Sequence, residues 1–163
     1  MPADRQNSGQ GCGQSADSRE NLPSALWWEK GLRFSCLGCG RCCRGEPGAI
    51  FITPVEESAI ACFLGISTEI FGKRYKTSRW KAPSLKEKKN GECIFYQAEN
   101  AGCSVYPVRP LQCRLFPFWP VLLASGEEWE KAAEHCPGIN SGRLFPASEI
   151  AELLSQCPFP SLL

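Results

Sequence analysis

Four cysteines fall within eight residues of the stretch Phe34 to Gly45, which reads FSCLGCGRCCRG: Cys36, Cys39, Cys42 and Cys43. Two CxxC steps share Cys39, and the second ends in an adjacent pair. Thiolate is the soft ligand that zinc, Cu(I) and iron–sulfur clusters prefer. A CxxC turn places two sulfurs on one side of a tight loop, within reach of one metal centre. Gly38 and Gly40 supply the positive φ that such knuckles often need. Side chains of neighbouring residues diverge, so Cys42 and Cys43 suit two different centres better than one. Inert buried thiols are the competing reading, since free cysteine is among the most buried residue types. Ligand-like spacing outweighs it.

The same count extends along the chain. There are 11 cysteines in 163 residues, an odd number that forbids complete intramolecular disulfide pairing. Cys12 lies between glycines in a polar N-terminal stretch, Cys62 inside an expected helix as a small core residue, and Cys157 beyond the last expected helix. Setting these three aside leaves eight: Cys36, Cys39, Cys42, Cys43, Cys93, Cys103, Cys113 and Cys136. Eight thiolates can fill two Cys₄ zinc sites, one zinc and one cluster, or one [4Fe–4S] cluster with four thiols left over.

Cys36, Cys39 and Cys42 reproduce the first three positions of the ferredoxin-type run C-x₂-C-x₂-C-x₃-C-P. Its fourth position here is Glu46, followed by Pro47, so a cluster needs its fourth thiolate from Cys43 or from the distal set. Cys136-Pro137 has the matching Cys-Pro form. Arg41, Arg44, Arg109 and Arg114 lie near candidate ligands. Guanidinium groups would offset the charge of a Cys₄ zinc site or raise a cluster's potential; the competing reading is a solvated surface. His135 is the only histidine, so no Ser-His-Asp or Cys-His constellation can be built. Nucleotide-binding glycine motifs are missing too.

Several elements are expected to position these residues. Residues 1–21 read as a disordered tail, leaving one domain over 22–163. Leu26, Trp27, Trp28 and Leu32 fit a short helix over 22–32. Ala49–Ile52 reads as a strand. Thr53, Pro54 and Glu56 form a capping-box start for a helix to about Leu64, with Val55, Ile60, Phe63 and Leu64 near one face. Ser67 or Thr68 caps a second helix through Tyr75. Ile94–Tyr96 reads as a strand, Asn100-Ala101-Gly102 as a turn, and Leu111–Leu115 as a helical turn. Val121–Ala124 reads as a strand, Trp129 as the start of a returning strand or helix, and Phe145–Leu154 as an amphipathic helix.

Charge narrows the partners. The net charge is +1, so nothing global argues for nucleic acid or a membrane surface. The run Lys73–Lys89 is basic, and a solvated, mobile loop is the main expectation there, with a nucleic-acid partner a lesser one. The first residues hold no apolar run after a charged segment, and no stretch approaches the roughly 20 apolar residues of a membrane span. A reducing cytoplasm is therefore expected, where dense cysteines bind metal more often than they form disulfides.

Taken together, FSCLGCGRCCRG, IFITPVEESAIACFLGI, GECIFY, CSVYPVRPLQCRLFPFWP and CPGI, in this order over about residues 34–139, resemble the CxxCxxCC cysteine-cluster family, also called the YkgJ type. The resemblance implies zinc or iron chelation by the same eight cysteines that counting selects. Similar clusters occur in flagellin lysine N-methylases, and this chain carries no separate methyltransferase motif. The expectation is a small, loop-rich α+β domain stapled by metal–thiolate bonds, holding zinc or a [4Fe–4S] cluster. Two other classes stand beside it: an iron–sulfur redox or protein-modifying enzyme, and a zinc-built module for a protein or nucleic-acid partner.

Overall fold

The computed structural model describes residues 26–44, 48–159 and 161. The expected N-terminal tail and Cys12 lie outside these, as do Glu46 and Pro47.

The chain enters through a turn at Trp27–Lys30 and the strand β1, Leu32–Phe34, where the sequence predicts a helix. Gly31 closes that turn at φ +80°, a conformation incompatible with helix, and its N–H bonds to the Trp28 carbonyl. Past the cysteine loop, α1 spans Pro54–Phe63 with the expected capping box: Thr53 Oγ1 accepts from the Glu56 N–H, and Glu56 Oε2 accepts from the Thr53 N–H. Ile60 and Ala61 are its buried residues, whereas Val55, Cys62 and Phe63 are exposed. Cys62 follows Val55 by seven residues and so shares its outward stripe; the core reading of Cys62 does not hold. Capped by Ser67, α2 (Thr68–Tyr75) buries Phe71.

The basic stretch is largely structured, contrary to the mobile loop expected there. After the last residues of α2 come β2 (Lys76–Arg79) and β3 (Ala82–Leu85), an antiparallel hairpin turned by Trp80 and Lys81. Both turn residues have positive φ, 47° and 65°, as a two-residue turn matched to strand twist requires. Buried Ser84 and Leu85 anchor it. Alongside, the expected strand over 49–52 is reduced to a single bridge, Phe51 with Ser84, flanked by bonds from Leu85 N–H to Ile50 and from Ile52 N–H to Pro83.

A small hairpin follows, β4 (Tyr96–Gln97) with β5 (Gly102–Cys103), and then α3 (Leu111–Leu115) where it was expected. Residues 121–123 form a turn and not a strand, because the N–H groups of Leu122 and Leu123 both bond back to Trp119. The helical alternative holds for the next segment: α4 spans Gly126–His135, capped by Ser125. β6 (Arg143–Phe145) pairs antiparallel with β1, and α5 (Ala147–Ser155) closes the chain.

The architecture is α+β, with three two-stranded antiparallel sheets and short helices. Its apolar side chains form two separate cores. One gathers Trp28, Leu32, Phe118, Leu123, Trp129, Ile139 and Ile150 around the β1–β6 pair. The other gathers Ile52, Ile60, Ala61, Phe71, Leu85, Phe95 and Val105 under α1, α2 and the β2–β3 hairpin. Each is small for independent stability. No helix among the described residues is long and apolar enough to cross a membrane.

Candidate metal centre

The cysteines converge where the two cores meet. A cavity of about 130 Å³ is walled by Phe34 from one side and by Ile50, Leu85, Phe95 and Val105 from the other, and six candidate ligands line it: Cys36, Cys42, Cys43, Cys93, Cys103 and Cys113.

Local structure explains the convergence. Gly40, at φ +68°, starts a short 3₁₀ turn over Arg41–Cys43 that brings Cys42 and Cys43 inward. A Cβ at Gly40 would lie 2.6 Å from the Tyr96 ring and 2.8 Å from the Ala101 carbonyl, so only glycine fits. The Cys93 N–H donates to the Cys43 carbonyl at 2.8 Å, docking the GECIFY segment on the loop. Pairing of Tyr96 with Cys103 then sets Cys103 beside it.

Cys113 rides on α3, whose anchoring is the part that the sequence concealed. Glu56, already capping α1, accepts the Leu111 N–H at 2.6 Å through its other carboxylate oxygen. Buried Gln112 clamps the opposite side: its Oε1 accepts from Phe51 N–H and its Nε2 donates to the Ala49 carbonyl. The capping box was legible in Glu56; its second bond, spanning 55 residues, had no sequence signal.

Cys39 and Cys136 lie outside that cavity. Ser35 N–H donates to the Gly138 carbonyl, and Phe34 bridges Ile139, which holds the Cys136-Pro137-Gly138 turn against the start of the cysteine loop. Cys136 and Cys42 both line a second, open groove of about 740 Å³ with Arg41, Arg44, Phe116, Trp119, Leu122 and His135 among its walls. Arg41 reaches the His135 carbonyl at 3.5 Å. Of the four arginines, Arg109 and Arg114 line the inner cavity and Arg41 and Arg44 the groove. Arg109 is fixed by a bond to the Tyr106 carbonyl and by stacking 3.9 Å over the Tyr106 ring.

The thiols feel one another. Cys42 and Cys43 sulfurs stand 3.9 Å apart. Hydrogen bonding to Cys43 brings the Cys42 thiol down to about 7, helped by the Arg109 charge, while the same bond and burial push Cys43 up. Burial pushes up Cys93, Cys103 and Cys113, Cys113 furthest, and each is raised further by neighbouring cysteines. Burial also raises Cys136, with Cys39 and Cys42 adding to it. All eight candidates are therefore linked in one electrostatic neighbourhood or line its walls. Cys62 is exposed on α1, and Cys157 is buried after α5, outside it.

Among the described residues, no three His, Cys, Asp or Glu side chains are gathered closely enough to hold a metal ion together. The donor chemistry still fits a soft metal: the cavity offers six sulfurs, apolar walls and two guanidiniums, with no carboxylate or histidine on it. Two to three of these buried thiols ionised at once would repel strongly in such a low-dielectric setting. A bound cation removes that conflict.

Residues 35–137 match the family CxxCxxCC, described as "Putative zinc- or iron-chelating domain". The chain belongs to this family. Over 89 residues it is 36% identical to Uncharacterized protein MJ0661 of Methanocaldococcus jannaschii, a match covering 54% of this chain and 46% of that protein. The chain thus spans less than half the length of that relative. No solved structure matches it. The matched family region contains all eight candidate cysteines and leaves Cys12 and Cys157 outside.

Proposed function

We propose that this member of the chelating-domain family holds zinc or an iron–sulfur cluster through the thiolates of Cys36, Cys39, Cys42, Cys43, Cys93, Cys103, Cys113 and Cys136, and that the bound metal fastens the two cores together. The observation that carries this reading is the convergence of six of these cysteines, drawn from four separate segments, on one cavity between the cores. Cys136 packs against the first core and Cys93 and Cys103 against the second, so these cysteines lie at the edges of both cores and not within either fully buried set. Metal binding then supplies folding free energy that two small cores lack.

Anaerobic purification followed by elemental analysis tests this. Zinc without colour, or iron with acid-labile sulfide and visible absorption, supports it; neither metal in a folded protein overturns it.

A second reading has one observation in its favour. The open groove brings Cys42 and Cys136 against Phe116 and Trp119, so a cluster held there would be within reach of a substrate. This is the redox or protein-modifying reading. Its test is whether visible absorption bleached by dithionite returns on adding an electron acceptor. The interaction-module reading has less behind it. Lys73, Lys76, Arg79 and Lys88 of the basic run have carboxylate partners in Glu69, Glu57, Glu87 and Glu92. Salt-sensitive retention on heparin, lost when Lys81 and Lys89 are neutralised, would revive it.

A further inference from the structure

We infer that Cys42 and Cys43 form a thiol–disulfide exchange pair: Cys42 takes up a small amino-acid-derived disulfide from the open groove, and Cys43 resolves it to a Cys42–Cys43 link that expels the metal. The exchange needs only the two thiols, whereas the loss of metal rests on the metal-binding reading above.

Geometry selects this pair. The 3₁₀ turn over Arg41–Cys43 brings the adjacent side chains together where divergence was expected, and their sulfurs stand 3.9 Å apart. A neighbour already in contact is what a resolving thiol requires. Accessibility gives the two thiols different parts. Cys42 is exposed and lines the groove, so an incoming disulfide meets it first; Cys43 is half-buried and lines no wall of the groove. Both residues also line the inner cavity, and both line a further cavity of about 310 Å³ beside Trp80 and Phe51. Linking the pair withdraws two of the inner cavity's six sulfurs from a soft metal.

The groove fits the class of oxidant. Its volume, about 740 Å³, is that of a small-molecule site. Arg41 and Arg44 present guanidiniums on its walls, and Glu92 and Glu134 present carboxylates. That mixture of charges suits a ligand bearing both carboxylate and ammonium groups, as an amino-acid-derived disulfide does. Trp119 gives an apolar wall between them, fixed by its Nε1 donating to the Gln112 carbonyl and by Phe116 edge-on at 5.2 Å.

The step balances without any other oxidant. The Cys42 thiolate attacks one sulfur of the small disulfide, whose S–S bond breaks; one half leaves and takes up the proton that Cys42 gave up. Cys43, losing its proton, then attacks the Cys42 sulfur, and the second half leaves with that proton as a thiol. Two protein thiols are oxidised, and one disulfide is reduced to two thiols. When both sulfurs start on a metal they leave it as thiolates, and the departing groups take protons from the buffer. Adjacent Cα atoms lie about 3.8 Å apart, nearer than a disulfide ordinarily spans, so the link is strained and readily reduced again.

The test adds glutathione disulfide to the zinc-loaded full chain, traps free thiols by alkylation, and follows zinc release to a chromogenic indicator beside peptide mass mapping. Zinc should leave in step with a Cys42–Cys43 link and return when dithiothreitol opens it. Cys43→Ser should stop at the first stage and retain a glutathionyl group on Cys42, and Cys42→Ser should acquire neither adduct nor link in this peptide. Should either variant fail to fold, the position of the wild-type link still decides. The inference is overturned if Cys42 is joined to Cys93, Cys113 or Cys136 instead, if only exposed Cys36 or Cys62 reacts, if folded Cys43→Ser keeps no adduct, or if zinc stays on the linked chain. A Cys42–Cys43 link in a chain that binds neither zinc nor iron when reduced would support the exchange and sink the metal-binding reading.

Discussion

Cys42 is the residue at which the site's properties meet, because it touches the inner cavity, the groove and Cys43 at once. Its thiol is drawn down to about 7, so it offers a thiolate near neutrality. Ligand status should show in metal content. Cys39→Ser should lower zinc or iron per chain sharply, whereas Cys12→Ser and Cys62→Ser should leave it unchanged; equal content in all three variants would contradict the assignment. A second test concerns the loop's shape. Gly40→Ala places a methyl against Tyr96 and Ala101 at positive φ, so stability should fall by about 1–3 kcal/mol in urea titration. At this scale the sequence was readable, since cysteine type and spacing speak directly to metal chemistry. The exposure of Cys62 was not, because the helical stripe it occupies follows from which side of α1 meets the second core.

Elements carry the positioning. Glu56 joins α1 to α3 with one carboxylate, taking Thr53 N–H on one oxygen and Leu111 N–H on the other. Replacing it with Ala should remove two caps and cost about 1–2 kcal/mol for each by chemical denaturation. Glu56→Ala should also lower metal affinity, because Cys113 sits on the helix that loses its anchor; unchanged affinity would deny α3 a part in the site. Local signals foretold α1, α2 and α3, whose caps and breaks are written in adjacent residues. They failed for the β2–β3 hairpin, whose turn uses Trp80 and Lys81 in place of the usual Asn-Gly. They failed again near Val121, where an apolar run resembles a strand but has no partner to pair with. β1 was missed for the converse reason: its partner, β6, lies more than a hundred residues away.

The whole molecule consists of two modest cores with a thiol-lined gap between them. Stability should therefore depend on pH in opposite senses with and without metal. Cys93, Cys103, Cys113 and Cys136 hold their protons in the fold above the ordinary 9.0. A raised pKa contributes stability fully present below the unfolded value and lost above it. Through these four thiols the metal-free fold should lose stability only above about pH 9, by about 1.4 kcal/mol per pH unit for each thiol still protonated in the fold, whereas Cys42, drawn down to about 7, adds stability as pH rises from about 7 to 9. The loaded protein should behave conversely: binding expels those protons, so its metal affinity and thermal midpoint should fall as pH drops below neutrality. Thermal melts of both forms from pH 5 to 10 check this. Coincident profiles would contradict it.

The most direct test of the central claim is the zinc, iron and acid-labile sulfide content of protein purified without air, read together with a count of its reactive thiols. The account predicts stoichiometric zinc or iron with most of the 11 cysteines unreactive until a chelator is added. A folded chain with neither metal and its eight candidate thiols freely reactive would contradict it.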